Sequence, residues 1–215
     1  MNRSQKHTDL LIMKTLSQNR LKKIIKTFVK TNSKKTKRPL QPKSKGEGPI
    51  YHRQYSIEIK NFKIHPKEVM KKLKLDINRF CPPLFVRFEK IKGLKKKFKV
   101  GDEFLAKLIG PWNSPTRVVK SNTLGFKMAT IEGSMEAGHV QMYIFQKGKK
   151  WYFEVESLAR SRDGLISFLY DHTPFLKLGQ AGMWAFVCEK FNGYCQGDIN
   201  KVKIFTKKEN KINSF

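Results

Sequence analysis

Between residues 100 and 160 the chain alternates apolar and polar side chains in run after run, broken only by glycine, proline and short polar turns. A period of two sends successive side chains to opposite faces of a strand, so this stretch predicts antiparallel sheet with one buried face. Phe104, Ala106 and Leu108 share one face, and Gly110-Pro111 ends their run. Residues 116–120 are short and β-branched. Phe126, Met128 and Thr130 alternate with Lys127 and Ala129, and the same face continues to Glu132. Val140, Met142 and Ile144 form one side of the next strand. Residues 146–150, with Gly148, read as a hairpin turn leading to Trp151, Phe153 and Val155.

The flanks supply what such a sheet needs. Residues 51–59 alternate as a further strand with Tyr55, Ile57 and Ile59 on one face, and His65-Pro66 opens a short helix carrying Val69, Met70, Leu73 and Leu75. Cys81-Pro82-Pro83 breaks the chain before a candidate strand at 85–91 and a basic loop at 92–99. Beyond the sheet, residues 163–172 read as helix, and Thr173-Pro174 is an N-cap and first-turn pair for a longer one. Leu176, Trp184, Val187, Cys188 and Phe191 line one face of that helix until Asn192-Gly193 stops it. One helix must cover the concave side of the sheet to bury its face. The expected class is α+β.

This order resembles the helix-grip architecture, START-like or birch-pollen-allergen-like, in which a curved antiparallel sheet wraps a long C-terminal helix around an apolar cavity. Residues 100–192 also resemble a family of short bacterial and plant proteins catalogued as a domain of unknown function. The likeness is carried by Val100-Gly101-Asp102-Glu103-Phe104, by Arg117-Val118-Val119, and by Thr130-Ile131-Glu132-Gly133 through Glu136-Ala137-Gly138, similar to a T-L-x-G-H-x-x-x-G segment. Trp151 to Val155, Ala159-Arg160-Ser161, Leu178, Gln180 and Trp184 extend it. Ser134 stands where that family commonly has His. The resemblance implies a fold and no activity.

Charge divides the chain. The formal total is +28, yet residues 1–99 hold 29 Lys plus Arg against 6 acids and residues 100–198 are nearly neutral. Residues 9–30 read as a basic amphipathic helix, with Leu10, Met13, Leu21, Ile24, Ile25 and Phe28 near a 3.6-residue period, and residues 31–48 have linker composition. Expected boundaries are therefore a basic helix plus linker at 1–50, a helix-grip-like domain at 51–197 and a basic tail at 198–215. The 1–50 arm could contact nucleic acid or an anionic membrane, serve organelle targeting, dock on its own domain or stay unfolded. Lys outnumbers Arg 36 to 9, and no zinc-finger, helix-turn-helix or aromatic RNA platform accompanies the charge, which weakens specific nucleic-acid recognition. Three cysteines without C-x-x-C exclude a disulfide scaffold and a four-ligand zinc finger. No apolar run reaches the length of a membrane span, so a cytoplasmic protein is expected.

Candidate site residues follow from the alternation. Glu132, sent toward the cavity with Phe126, Met128 and Thr130, would be a desolvated carboxylate: a general acid, or an anchor for a ligand's hydroxyl or amine. The alternative is a solvated residue in the turn at Gly133. Phe126, Met128, Met142, Trp151, Phe153 and Trp184 would line the cavity. Arg160 and Arg162, before a helix N-terminus, form an anion-binding candidate, against which stands a capping Asp163 with surface ion pairs. Asp171-His172 would not face each other on a helix, and no nucleophile motif accompanies them. Neither metal nor cofactor is indicated. The leading expectation is binding of a small apolar or amphipathic molecule between sheet and C-terminal helix. Nucleic-acid or anionic-membrane binding through the basic half, and a cyclase or hydrolase-type enzyme working in the cavity, are the rivals.

Overall fold

The computed structural model describes residues 38–108, 113–163, 174–198 and 201–209, with side chains described in the last helix only from residue 182 onward. The expected helix at 9–30 and all but the first residue of the one at 163–172 lie outside these residues, as does the Asp171-His172 pair. Among the described residues there are eight strands and two α-helices, in the order β1 Glu47–Ile59, α1 Pro66–Leu75, β2 Val86–Lys92, β3 Glu103–Leu108, β4 Asn113–Asn122, β5 Gly125–Thr130, β6 Glu136–Lys147, β7 Lys150–Ser161, α2 Pro174–Tyr194 and β8 Lys203–Glu209. They form one antiparallel sheet in the order β2-β3-β4-β5-β6-β7-β1-β8. Neighbours in sequence are neighbours in space from β2 to β7, as hairpin connections dictate, and β1 closes the series by pairing with β7.

One face of this sheet is the core. Arg53, Tyr55, Ile57 and Ile59 of β1 are buried while the residues between them are only half-covered. Register then stacks one row across the strands: Ile57 opposite Phe153 and Phe153 opposite Ile144, with Tyr55 opposite Val155, Val155 opposite Met142 and Met142 opposite Phe126. Each fully buried side chain of this size contributes roughly 1.5–3 kcal/mol. The second half of α2 covers the row. Phe191 stacks on Phe153 with ring centroids 4.0 Å apart, and the Cys188 thiol donates to the Tyr55 carbonyl at 3.6 Å.

The first helix closes one end of this core. His65 caps α1 by accepting from the Lys67 amide at 3.2 Å, Pro66 takes the first helical position, and Val69, Met70 and Leu73 turn inward. The short 3₁₀ turn Ile77–Phe80 brings Phe80 against Tyr194 (centroids 4.6 Å) and Phe191 (6.3 Å), so the C-terminal end of α2 is wedged by aromatics. The fold is thus an antiparallel sheet whose buried face is covered by the second half of α2.

Two boundaries differ from expectation. The segment of linker composition is built into the sheet from Leu40 onward: Leu40 bridges Ile131, the Gln41 amide donates to the Thr130 carbonyl at 2.8 Å, and β1 begins at Glu47. The basic tail also supplies β8, whose Ile204 pairs with Tyr55 and Thr206 with Arg53. Backbone groups on the free edge of β1 need partners, and this requirement overrides the polar composition of both segments. Among the described residues no helix is long and apolar enough to cross a membrane.

Candidate functional site

The buried face carries polar groups that its apolar row does not satisfy. Tyr55 is fully buried and its hydroxyl has no hydrogen-bond partner; the same holds for the Ser157 hydroxyl on β7 and the indole NH of Trp184 on α2. Ser157 lies opposite Arg53, next but one from Val155, which lies opposite Tyr55. Trp184 precedes Cys188 by one helical turn, about 6 Å of rise, and Cys188 touches the Tyr55 carbonyl. Arg160 Nε and Asn192 Oδ1 are also buried without a partner; Tyr55, Ser157 and Trp184 belong to β1, β7 and α2, and α2 packs on both strands. An unsatisfied buried polar group costs roughly 1–3 kcal/mol.

The charge around Tyr55 is positive. Arg53 is 8% exposed, its guanidinium lies over the Tyr51 ring at 4.7 Å, and Lys208 approaches the same ring from the other side of the strand pair at 5.8 Å. Burial raises the Tyr55 phenol above its ordinary value, with Arg53 opposing and Cys188 adding to the rise, so the hydroxyl keeps its proton at neutral pH. Protonated phenol, hydroxyl, indole NH and guanidinium are all donors. Such groups suit an acceptor: a carboxylate, a carbonyl or an oxyanion.

The residues expected to line a cavity are divided by the structure. Phe126, Met128, Met142 and Phe153 are at most 3% exposed and form the apolar row. Trp184 is one of the unpartnered donors. Trp151 is half-buried against the same cluster and packs against His65 at 5.1 Å with Lys67 over its ring at 5.8 Å.

Glu132 is displaced outright. The strand ends at Thr130, Ile131 turns inward to bridge Leu40, and Glu132 is exposed in the following turn, its amide donating to the Pro39 carbonyl at 3.0 Å. Gly133 adopts φ 94° there, which a residue with a side chain rarely does. The desolvated carboxylate read from the alternation is thus a solvated turn residue. Ser134 is fully buried and its hydroxyl meets that of Ser114 at 2.6 Å.

Arg160 is 9% exposed and lies against Gly46, its guanidinium donating to the Gly48 carbonyl, while Arg162 is paired with Asp163 at 2.7 Å. They do not converge on a common point. Two features escaped the sequence reading: the donor set, because Arg53, Tyr55 and Ser157 become neighbours only through the β1–β7 pairing, and a polar array on the opposite face. There His52 Nε2 lies 2.6 Å from Glu156 Oε1, Gln141 donates to Glu156 and Tyr143 to Glu154. Among the described residues no group of His, Cys, Asp and Glu could hold a metal. Cys81, Cys188 and Cys195 are free and buried, and burial pushes the thiols of Cys81 and Cys195 up to about 12, which leaves them unreactive.

No protein-family model matches the chain, and no curated protein matches it. Among solved structures the chain is similar to Ara h 8.0201 (8% identity, 68% of this chain and 98% of that one, TM-score 0.45). It is also similar to KanY protein (11% identity, 71% and 99%, TM-score 0.48) and to hypothetical protein jhp0584 from Helicobacter pylori (9% identity, 66% and 86%, TM-score 0.47).

Proposed function

We propose that the protein binds a small amphipathic molecule between the sheet and α2, its acceptor group held by Tyr55, Ser157, Trp184 and the charge of Arg53. The observation that carries this reading is that β1, β7 and α2, which pack on one another, each hold an unpartnered buried donor, with Arg53 buried two residues from Tyr55. Folding leaves such groups unsatisfied at a cost, and a ligand oxygen removes it. Specificity would then come from the donor set and affinity from apolar burial, as in most small-molecule sites.

The test is a Tyr55→Phe variant of the full chain, titrated with an anionic amphipathic dye and with a medium-chain fatty carboxylate as competitor. Removing an orphaned hydroxyl raises thermal stability whether or not a ligand uses it. Weaker dye and carboxylate binding together with raised stability supports the site. Unchanged binding in the Tyr55→Phe and Ser157→Ala variants, or no binding by the wild type, rejects it.

A further inference from the structure

At the end of the sheet where β2 turns into β3, apolar side chains are held in solvent by a rigid loop. Leu94 is 63% exposed, Val100 61% and Ile91 43%, all within or beside the β2–β3 connection. The loop is firmly built. The Lys90 ammonium donates to the Leu94 carbonyl at 3.0 Å, to the Lys97 carbonyl, and to Asp102 Oδ2 at 2.7 Å; Asp102 Oδ2 also accepts the Lys99 amide at 2.9 Å. Phe98 turns inward onto Phe126 at 4.9 Å and Phe104 at 5.7 Å. Gly93 has φ 105°, and a Cβ there would lie 2.1 Å from the Asp102 carboxylate, so even the turn residue is specified. A loop anchored by its one aromatic and a nearly buried ion pair, with its aliphatic residues outside, is arranged to present them.

Its charge is of one sign. From Ile91 to Gly101 there is no acid, and Lys95, Lys96, Lys97 and Lys99 are exposed. The antiparallel order brings two more tips to the same end of the sheet. At the β4–β5 tip Leu124 is 39% exposed beside Lys120, and an open groove of about 290 Å³ runs past Lys120, Lys127 and Gln141. The β6–β7 tip carries Lys147 and Lys149, both exposed.

We infer that this end of the sheet docks on an anionic lipid bilayer, the β2–β3 loop inserting Leu94 and Val100 among the acyl chains while the surrounding lysines bind lipid headgroups. Exposed aliphatic side chains ringed by lysine fit an interface that is apolar inside and negative at its surface. A nucleic acid would be met by arginine forks and exposed aromatic faces. Here the charges are lysines and Phe98 faces the core. The inference does not depend on the donor set and is tested separately.

The experiment uses the full chain, so that residues 1–37 are present in every sample, with vesicles of phosphatidylcholine alone or with roughly 30% phosphatidylserine. Sedimentation with the serine-containing vesicles is expected, and it should weaken as salt rises. A Leu94→Asp/Val100→Asp variant and a Lys95→Glu/Lys96→Glu/Lys97→Glu variant, both altered at exposed positions and checked for unchanged melting, should each lose about tenfold or more of that partitioning. In a Leu94→Trp variant, lipids brominated in the acyl chain should quench emission beyond the quenching seen in wild type. The inference is overturned if wild type ignores serine-containing vesicles, or if Leu94→Asp/Val100→Asp leaves partitioning unchanged. It is equally overturned if the Leu94→Trp variant shows no added quenching while the lysine variant loses affinity for a short RNA duplex.

Discussion

Phe191 of α2 lies flat on Phe153 of β7, ring centroids 4.0 Å apart and planes within 2° of parallel. Both rings are fully buried, and Phe80 closes on the far side of Phe191. This contact locks the helix to the sheet. Phe153→Ala should cost about 3–5 kcal/mol in urea unfolding, and Phe191→Leu about 1–2 kcal/mol, since leucine refills part of the space. Equal losses for the two would mean that the stack itself, not the filled volume, provides the stability.

Gly138 is the tightest point of the sheet. Its φ is 156°, and a Cβ there would stand 2.1 Å from the Leu158 carbonyl oxygen, a backbone atom that cannot move aside without disturbing the β6–β7 ladder. Gly138→Ala is therefore expected to destabilise by roughly 2 kcal/mol or more, measured as a lowered urea midpoint with an unchanged slope. Gly148→Ala, with open space around it, should cost less.

Arg117 and Glu103 face each other on β4 and β3, nearly buried, with two guanidinium nitrogens 2.8 and 3.0 Å from the same carboxylate oxygen. Arg38 adds a further contact at 3.6 Å. Without Arg117 the buried Glu103 carboxylate keeps only the longer contacts to Arg38 and to Lys92 at 3.9 Å, so Arg117→Met should cost roughly 2–4 kcal/mol. The double variant Arg117→Met/Glu103→Leu should recover most of that loss, which a thermal melt of the two proteins side by side would reveal.

His139 on the outer face is held far below its ordinary value, at about 4, by burial first and then by Lys127, with Lys43 and His52 adding and Glu156 opposing. The unfolded chain takes up this proton near pH 6.5, the folded chain only near 4. Between those values the unfolded state binds more protons, so stability falls as pH drops through that window. His139→Asn should flatten this part of the melting-temperature profile between about pH 7 and pH 4 while leaving the alkaline side unchanged.

Glu132 is exposed, so Glu132→Gln should leave melting temperature and dye binding as they are in wild type. A marked loss of binding would return this carboxylate to the site.

The alternation at residues 100–160 determined the antiparallel strands and the apolar face that Phe104, Phe126, Met128, Met142, Ile144, Phe153 and Val155 bury, because a period of two sends alternate side chains to one side. It also determined, through Tyr55, Ile57 and Ile59, that the 51–59 segment joins that face, and through Pro66 and Pro174 where the helices begin. Alternation fails where a strand stops. Nothing local marks Thr130 as the last residue of β5, and only the bridge from Leu40 to Ile131 turns Glu132 outward. Composition likewise labels 38–46 and 201–209 as polar connecting chain, although both are held by backbone hydrogen bonds that no side-chain pattern announces. The donor set belongs to the same class. Arg53, Tyr55, Ser157 and Trp184 are as much as 131 positions apart in the sequence, and their arrangement depends on the β1–β7 register and on the depth to which Phe191 seats α2 against Phe153.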